Sequence, residues 1–177
     1  CDNNECASCE MGRAEVGTSD MGMNVQVQET FPGITGHICF IFRNIDTGEE
    51  RVSEYDNLVV TVAKNMIARR LAGEANACNI TYLAVGTGAG VPAIGDTTLS
   101  TELDRNTLTS ISASGVTVLF TAFFGASEAN GTLTEMGLFG EGASATPGSG
   151  VMVNHAVINE VKTSSETMTV TGTITIG

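Results

Sequence analysis

Between Asn57 and Leu103 the spacing of apolar residues changes from that of a helix to that of a strand. The predicted fold is built around this stretch. Plotted at 100° per residue, the apolar positions of its first part cover an arc of about 220°. They are Leu58, Val59, Val60, Val62, Ala63, Met66, Ile67 and Leu71. Asp56-Asn57 offers an N-cap and Gly73 a left-handed stop. The pattern predicts one long helix over residues 57–72, covered nearly all round by sheets.

Period-two alternation on both sides of this helix predicts antiparallel β structure. Strands are predicted over residues 24–28, 37–42, 50–55, 80–85, 108–112, 116–124, 132–139, 151–159 and 167–176. The last two are predicted to complete a meander. We expect an antiparallel β-sandwich of about seven to nine strands, packed against the one long helix. Residues 23–177 would form a single β-rich domain, preceded by an extended cysteine-rich arm over residues 1–22.

The charge balance narrows the classes of partner. The chain carries 20 acidic and 8 basic residues among 177, giving a net charge of −12. Phosphate backbones and anionic membranes require clustered Lys and Arg, so we expect neither nucleic acid nor membrane as a partner. The sequence also has no apolar run of membrane-spanning length.

Three segments within this pattern resemble a known family. The runs NLVVTVAKNMIARRLAG, YLAVGTGAGVPAIGDTTLSTEL and ANGTLTEMGLFG, with a Thr-rich last strand, are similar to virion structural proteins of tailed bacteriophages. Members are described as tail-fibre-like, collar or capsid decoration proteins. The resemblance covers residues 55–176. It implies a non-enzymatic protein on the exterior of the phage particle, without catalytic residues or a cofactor. Its partners would be capsid, neck or tail proteins and two further copies in a homotrimer.

Few residue groups suggest chemistry. The glycine-rich segment 86–90 is similar to a phosphate-binding loop but lacks the Lys-Ser/Thr of a nucleotide site, so we interpret it as a flexible elbow. His37 and His155 lie in strand patterns and are interpreted as structural. The acidic residues Asp96, Glu102 and Asp104 are interpreted as a solvated segment, with a divalent-cation loop as the alternative.

The cysteines are the sharpest feature. Cys1, Cys6, Cys9 and Cys39 have the spacing C-x4-C-x2-C-x29-C, which matches plant-type two-iron, two-sulfur ferredoxins. An iron–sulfur or zinc protein that uses these four thiols is therefore the alternative to a virion role. Against it, the chain begins at the first ligand, and Cys39 lies in an apolar strand pattern.

The favoured interpretation of the cysteines is disulfide chemistry. Cys1, Cys6 and Cys9 lie on the acidic arm, and we expect at least one of them to form an intermolecular disulfide in the oxidising exterior of a particle. Cys39 and Cys78 lie near apolar sequence and are expected to remain internal structural thiols. A minor alternative is a lipoprotein adhesin with its lipid on Cys1.

Overall fold

The computed structural model describes residues 33–75 and 77–177, which form eight strands and one helix. The elements are β1 (Ile34–Asn44), β2 (Glu50–Val59), α1 (Thr61–Leu71), β3 (Ile80–Gly86), β4 (Glu102–Ser114), β5 (Thr117–Phe124), β6 (Gly131–Gly140), β7 (Val151–Lys162) and β8 (Glu166–Ile176). The predicted arm at 1–22 and the predicted strand at 24–28 lie outside the described residues.

The eight strands close into an antiparallel barrel, so the predicted β-sandwich is wrong. The order around the barrel is β1-β2-β7-β6-β3-β4-β5-β8, and β8 pairs back onto β1. Closure depends on β4, whose first half pairs with β3 and whose second half pairs with β5. Inward and outward positions alternate along a strand in sandwiches and barrels alike. Periodicity therefore could not distinguish the two architectures.

The C-terminal strands also depart from the predicted meander. Strand β8 does not pair with its predecessor β7 but lies between β1 and β5, antiparallel to both. Its register places Val170 opposite Phe40 on one side and Ala122 on the other. Because all three side chains are buried, the strand inserts with its apolar face toward the core.

Side chains complete the junction between β2 and β7. The backbones of these strands pair at only two positions, Leu58 with His155 and Val59 with Asn154. Beyond them, Arg51 Nη1 lies 2.5 Å from Glu160 Oε2. The Tyr55 hydroxyl donates a 2.6 Å hydrogen bond to the other Glu160 oxygen. Glu160 on β7 therefore accepts hydrogen bonds from two β2 side chains where the backbone ladder ends.

The barrel interior is filled by side chains, as expected for eight strands. The largest fully buried apolar residues in the described part of the chain all lie on strands except Met66, which lies on α1; they are Phe40, Phe42, Phe120, Phe124, Phe139, Ile38, Met66, Leu83, Leu133, Met136 and Leu138. Leu133 and Met136, both in the predicted strand over residues 132–139, are among them. Gly172 makes room for one of the rings, because a Cβ atom there would lie 2.5 Å from Phe120 Cζ.

The helix is shorter and more exposed than predicted over 57–72. It spans the 11 residues Thr61–Leu71, because Asn57 still belongs to β2, and Val60 occupies the N-cap without a side-chain hydrogen bond. Only Ala63 and Met66 are buried within it, and it packs against β7. Leu58 and Val59 of the predicted apolar arc belong to β2, and the helix itself is mostly exposed, so the prediction of a helix covered all round is wrong. Within the described part of the chain, no helix is long and apolar enough to cross a membrane.

The predicted helix stop at Gly73 is confirmed. This residue has φ +88°, its N–H donates to the Arg70 carbonyl, and the next N–H, of Glu74, donates to the Arg69 carbonyl. These two bonds form a Schellman motif, in which a left-handed residue satisfies the last carbonyls of the helix. Glycine adopts this conformation at the least cost.

We expect Gly172→Ala to lower the free energy of unfolding by about 1–3 kcal/mol, the usual range for overpacking. The added methyl would lie 2.5 Å from the His37 carbonyl oxygen and from Phe120 Cζ. Gly95→Ala is the matched control because its Cβ would meet nothing within 4 Å. Urea unfolding of both variants provides the measurement, and equal midpoints would contradict this packing.

Candidate functional site

The glycine-rich segment wraps a buried carboxylate of the protein itself. Glu135 on β6 is fully buried. Its Oε1 accepts hydrogen bonds from the Gly88 amide at 3.0 Å and the Thr101 amide at 2.7 Å, and its Oε2 accepts one from the Ser100 amide at 2.9 Å. A Cβ on Gly88 would lie 2.3 Å from Oε1, so only glycine lets the backbone approach. Of the glycine-rich segment 86–90, the Gly88 amide therefore binds Glu135, and the other two amides come from Ser100 and Thr101.

A histidine and a second carboxylate extend this arrangement. His155 on β7 has a side chain that is 2% exposed, and its Nδ1 lies 2.7 Å from Asp96 Oδ2. Its Nε2 lies 3.3 Å from Glu135 Oε2, at ion-pair distance but without hydrogen-bond alignment. Asp96 also accepts the Ala93 amide at 2.7 Å. We call Asp96, His155 and Glu135 the acid–histidine latch, because it joins the segment between β3 and β4 to β6 and β7.

The latch is not built like a hydrolytic triad. In a triad one imidazole nitrogen faces a carboxylate and the other faces a hydroxyl or thiol nucleophile. Here both nitrogens of His155 face carboxylates. The hydrogen bond between His155 Nδ1 and Asp96 joins β7 to the segment between β3 and β4, so the arrangement fits a structural bridge, consistent with the structural interpretation of His155.

The acidic residues predicted to form one segment have separate partners. Glu102 pairs with Arg105, whose side chain is 2% exposed, through Nε at 2.5 Å and Nη2 at 2.6 Å. Asp104 accepts the Ala129 amide at 2.7 Å, and Asp96 belongs to the acid–histidine latch. In residues 33–75 and 77–177 no three potential ligands are grouped to hold a metal ion.

Two buried cations hold turns of the barrel. Arg105 Nη1 donates to the Ser144 and Ser149 carbonyls at 3.1 and 3.0 Å, which fixes the loop between β6 and β7. Lys162 is 1% exposed, and its Nζ donates to the Gly125 carbonyl at 2.8 Å in the β5–β6 turn. Burial lowers the pKa of Lys162. Because these cations donate hydrogen bonds to backbone carbonyls in turns, they stabilise the conformation of those turns.

The two described cysteines occupy different environments, and both are free thiols. Cys39 lies on β1 between the buried Ile38 and Phe40, so its partly exposed side chain faces out of the barrel. Cys78 lies in the turn before β3, where burial raises its thiol pKa. Cys1, Cys6 and Cys9 lie outside the described residues.

Four adjacent strands present an outer surface that is poor in charge. Facing positions of β5, β8, β1 and β2 form three rows, which are Phe123–Thr169–Ile41–Val52, Thr121–Thr171–Cys39–Glu54 and Leu119–Thr173–His37–Asp56. We call these twelve positions the threonine face. Val52 is 59% exposed, Phe123 46% and Leu119 42%. His37, Glu54 and Asp56 are its only ionisable groups apart from Cys39, and they lie on the β1–β2 side.

In comparisons with known proteins, no family model matches the chain, and no curated protein or solved structure matches it. The resemblance to virion proteins therefore stays a prediction.

Sequence reasoning missed Glu135, Arg105 and Lys162 as organising residues. Each is a charged residue placed at a buried position in a strand pattern. That signal was present in the run around Glu135, where an acid stands between apolar residues. A charge is rarely buried without a partner, so such positions mark internal ion pairs or hydrogen-bond acceptors.

We expect Glu135→Gln to lower the free energy of unfolding by about 1–3 kcal/mol. An amide retains one acceptor oxygen, so its NH2 group would face a backbone N–H or His155. Glu50→Gln is the matched control, since Glu50 is exposed and pairs with Arg43 at 3.9 Å. The control should change stability by less than about 0.5 kcal/mol. Thermal unfolding of both variants provides the measurement. A Glu135→Gln variant as stable as the wild type would contradict the latch.

The latch also predicts a pH dependence. Hydrogen bonds from the Ala93 amide and His155 lower the pKa of Asp96 below its ordinary value of 3.8. Its contribution to stability is therefore fully present above pH 3.8 and is lost as the pH falls through the folded-state pKa.

Wild type and Asp96→Asn should accordingly differ most in urea midpoint near neutral pH. The difference should shrink below pH 3.8. Subtracting the variant cancels the other carboxylates that titrate in this range. A difference that stays constant between about pH 5 and pH 2.5 would show that the Asp96 charge does not stabilise the fold.

Proposed function

We propose that this protein is a non-enzymatic structural component of the surface of a tailed-bacteriophage particle, as a capsid decoration, collar or short tail-fibre protein. The observation that carries the proposal is that buried ionisable side chains bind the backbone of the protein's own loops. Glu135, Arg105 and Lys162 all bind backbone amides or carbonyls of turns. A chain whose polar core fixes its own loops suits a long-lived scaffold.

The surface supports the same proposal. A net charge of −12 keeps copies soluble, while the threonine face exposes apolar side chains that a partner could cover. The homotrimer expected from the resemblance remains part of this proposal.

Detection of the protein in purified particles tests the role. An antibody raised against the recombinant chain should label intact particles from the source of the gene in electron micrographs, and the chain should persist through density-gradient purification. A chain found only in the lysate supernatant would overturn the proposal.

An iron–sulfur or zinc protein is the second candidate, and one observation favours it. The side chain of Cys39 faces out of the barrel and is partly exposed, so its thiol is accessible from solvent. Purified protein with a bound iron–sulfur cluster would be coloured, and a zinc protein would release stoichiometric metal on acidification.

In assembled particles we expect at least one of Cys1, Cys6 and Cys9 to form an intermolecular disulfide, with Cys39 and Cys78 reduced. The raised pKa of the Cys78 thiol leaves little reactive thiolate there. After alkylation of free thiols, electrophoresis without reductant should show a band of two or more chains. Reductant should collapse that band to the monomer. A monomer band without reductant, with five alkylated thiols, would contradict the disulfide and favour the metal-binding alternative.

A further inference from the structure

We propose that Lys162 and Asn130 form an intramolecular amide cross-link, in which the lysine Nζ replaces the side-chain nitrogen of the asparagine. The inference stands whether or not the protein belongs to a virion. Lys162 Nζ donates a 3.1 Å hydrogen bond to Asn130 Oδ1. Asn130 Cγ, the carbon that the amine would attack, is bonded directly to this oxygen. The fold therefore holds the nucleophile beside its electrophile.

The local structure fixes both partners. Lys162 ends β7, where it lies opposite Gly131 at the start of β6, and it is 1% exposed. Asn130 directly precedes Gly131. The residue before it, Ala129, has φ +51°, which is uncommon for a residue with a side chain, and its amide donates to Asp104 at 2.7 Å. Backbone strain that the surrounding contacts maintain is typical of functional sites.

Burial of the lysine favours the reaction in two ways. Burial lowers the pKa of Lys162. This raises the share of neutral amine, the form with a free electron pair for attack. The product is a neutral amide in place of a buried ammonium group, and a buried charge is costly. The cross-link therefore removes a charge that the fold otherwise stabilises with the Gly125 and Asn130 oxygens.

The reaction is a transfer of the asparagine acyl group to the lysine. A bond forms between Lys162 Nζ and Asn130 Cγ, and the bond between Cγ and Nδ2 breaks. The Nδ2 nitrogen leaves as ammonium, with its own two hydrogens and two from the lysine ammonium group. No atom is oxidised or reduced, and the reaction consumes no further reactant.

A carboxylate in the same turn serves as the proton carrier between the two nitrogens. Glu128 Oε2 accepts the Gly125 amide at 2.6 Å, and the Gly125 carbonyl accepts from Lys162 Nζ at 2.8 Å. The negative charge of Glu128 acts on the lysine in the opposite sense to burial. Glu166 also acts on this charge, but it is paired with Arg51 at 3.2 Å. Glu128 is therefore the better placed of these two carboxylates.

The cross-link closes the β6–β7 hairpin into a covalent ring. Its two residues lie 32 positions apart in sequence. A covalent link across such a loop restricts the unfolded chain, as a disulfide does. Thiol reductants do not cleave an amide, so this ring would persist where a disulfide is lost.

The intact mass of the purified recombinant chain tests the cross-link. Under denaturing and reducing conditions, the wild type should be lighter than its sequence mass by one ammonia molecule. Lys162→Met and Asn130→Ala should both have their full sequence mass. Asn159→Ala is the matched control, because Asn159 is exposed on the same strand as Lys162, and it should retain the loss. A wild type of full mass would overturn the proposal.

Peptide mapping locates the bond. Digestion after glutamate should release residues 129–135 joined to residues 161–166, because each fragment lies between two glutamates in the sequence. A succinimide at Asn130-Gly131 would give the same mass but unlinked fragments, and that result would overturn the cross-link. Lys64 is the only other lysine. Reductive methylation of the unfolded protein should therefore modify Lys64 and leave Lys162 unmodified.

Glu128→Gln tests the proton carrier. The fraction of chains that have lost ammonia, followed over time after synthesis, should increase about 100-fold more slowly than in wild type. Glu50→Gln, at an exposed carboxylate, is the control and should react at the wild-type rate. Circular dichroism spectra of both variants should match wild type. An unchanged rate in Glu128→Gln would overturn the role of this carboxylate.

Discussion

The carboxylate of Glu135 is the contact on which the architecture between β3 and β4 depends. A buried carboxylate is costly unless it is hydrogen-bonded, and the amides of Gly88, Ser100 and Thr101 meet that requirement. If the segment between β3 and β4 detached from the barrel, its amides would lose their acceptor, and the Glu135 carboxylate would lose its donors. This long connection therefore behaves as part of the barrel. Asp96 extends the same ion-paired system to the outer end of the segment.

Local features of the fold could be predicted from the sequence because they depend on near neighbours. The stop at Gly73 depends on one glycine and two adjacent carbonyls, and the last strand depends on the alternation of Met168, Val170 and Ile174 with other residues. The helix start could not be predicted in the same way. Leu58, Val59 and Val60 are apolar enough for a buried helix, yet Leu58 and Val59 pair with β7, a partner nearly a hundred residues away. Pairing with a distant strand therefore determines the secondary structure of such segments.

The candidate site was harder to predict than the fold. The glycine run was visible, and so was the histidine at position 155, but nothing local connects either to Glu135. Gly88 lies 47 residues before Glu135 in sequence, and His155 lies 20 residues after it. The glycine run was interpreted as a flexible elbow, yet its Gly88 amide binds the Glu135 carboxylate. The spacing of the cysteines, in contrast, concerns residues that lie mostly outside the described part of the chain, so that hypothesis rests on sequence alone.

Closure of the barrel determines how this protein can evolve partners. An open sheet offers backbone amides and carbonyls at its edges, and an added strand pairs there with little regard for side-chain identity. In this closed barrel most of those groups are already paired, except where the β2–β7 ladder ends beyond Leu58 and Val59, so recognition falls mainly to outward side chains. Such positions alternate with core positions, and each can be exchanged with little effect on packing. Affinity can then be tuned one residue at a time while the scaffold stays constant.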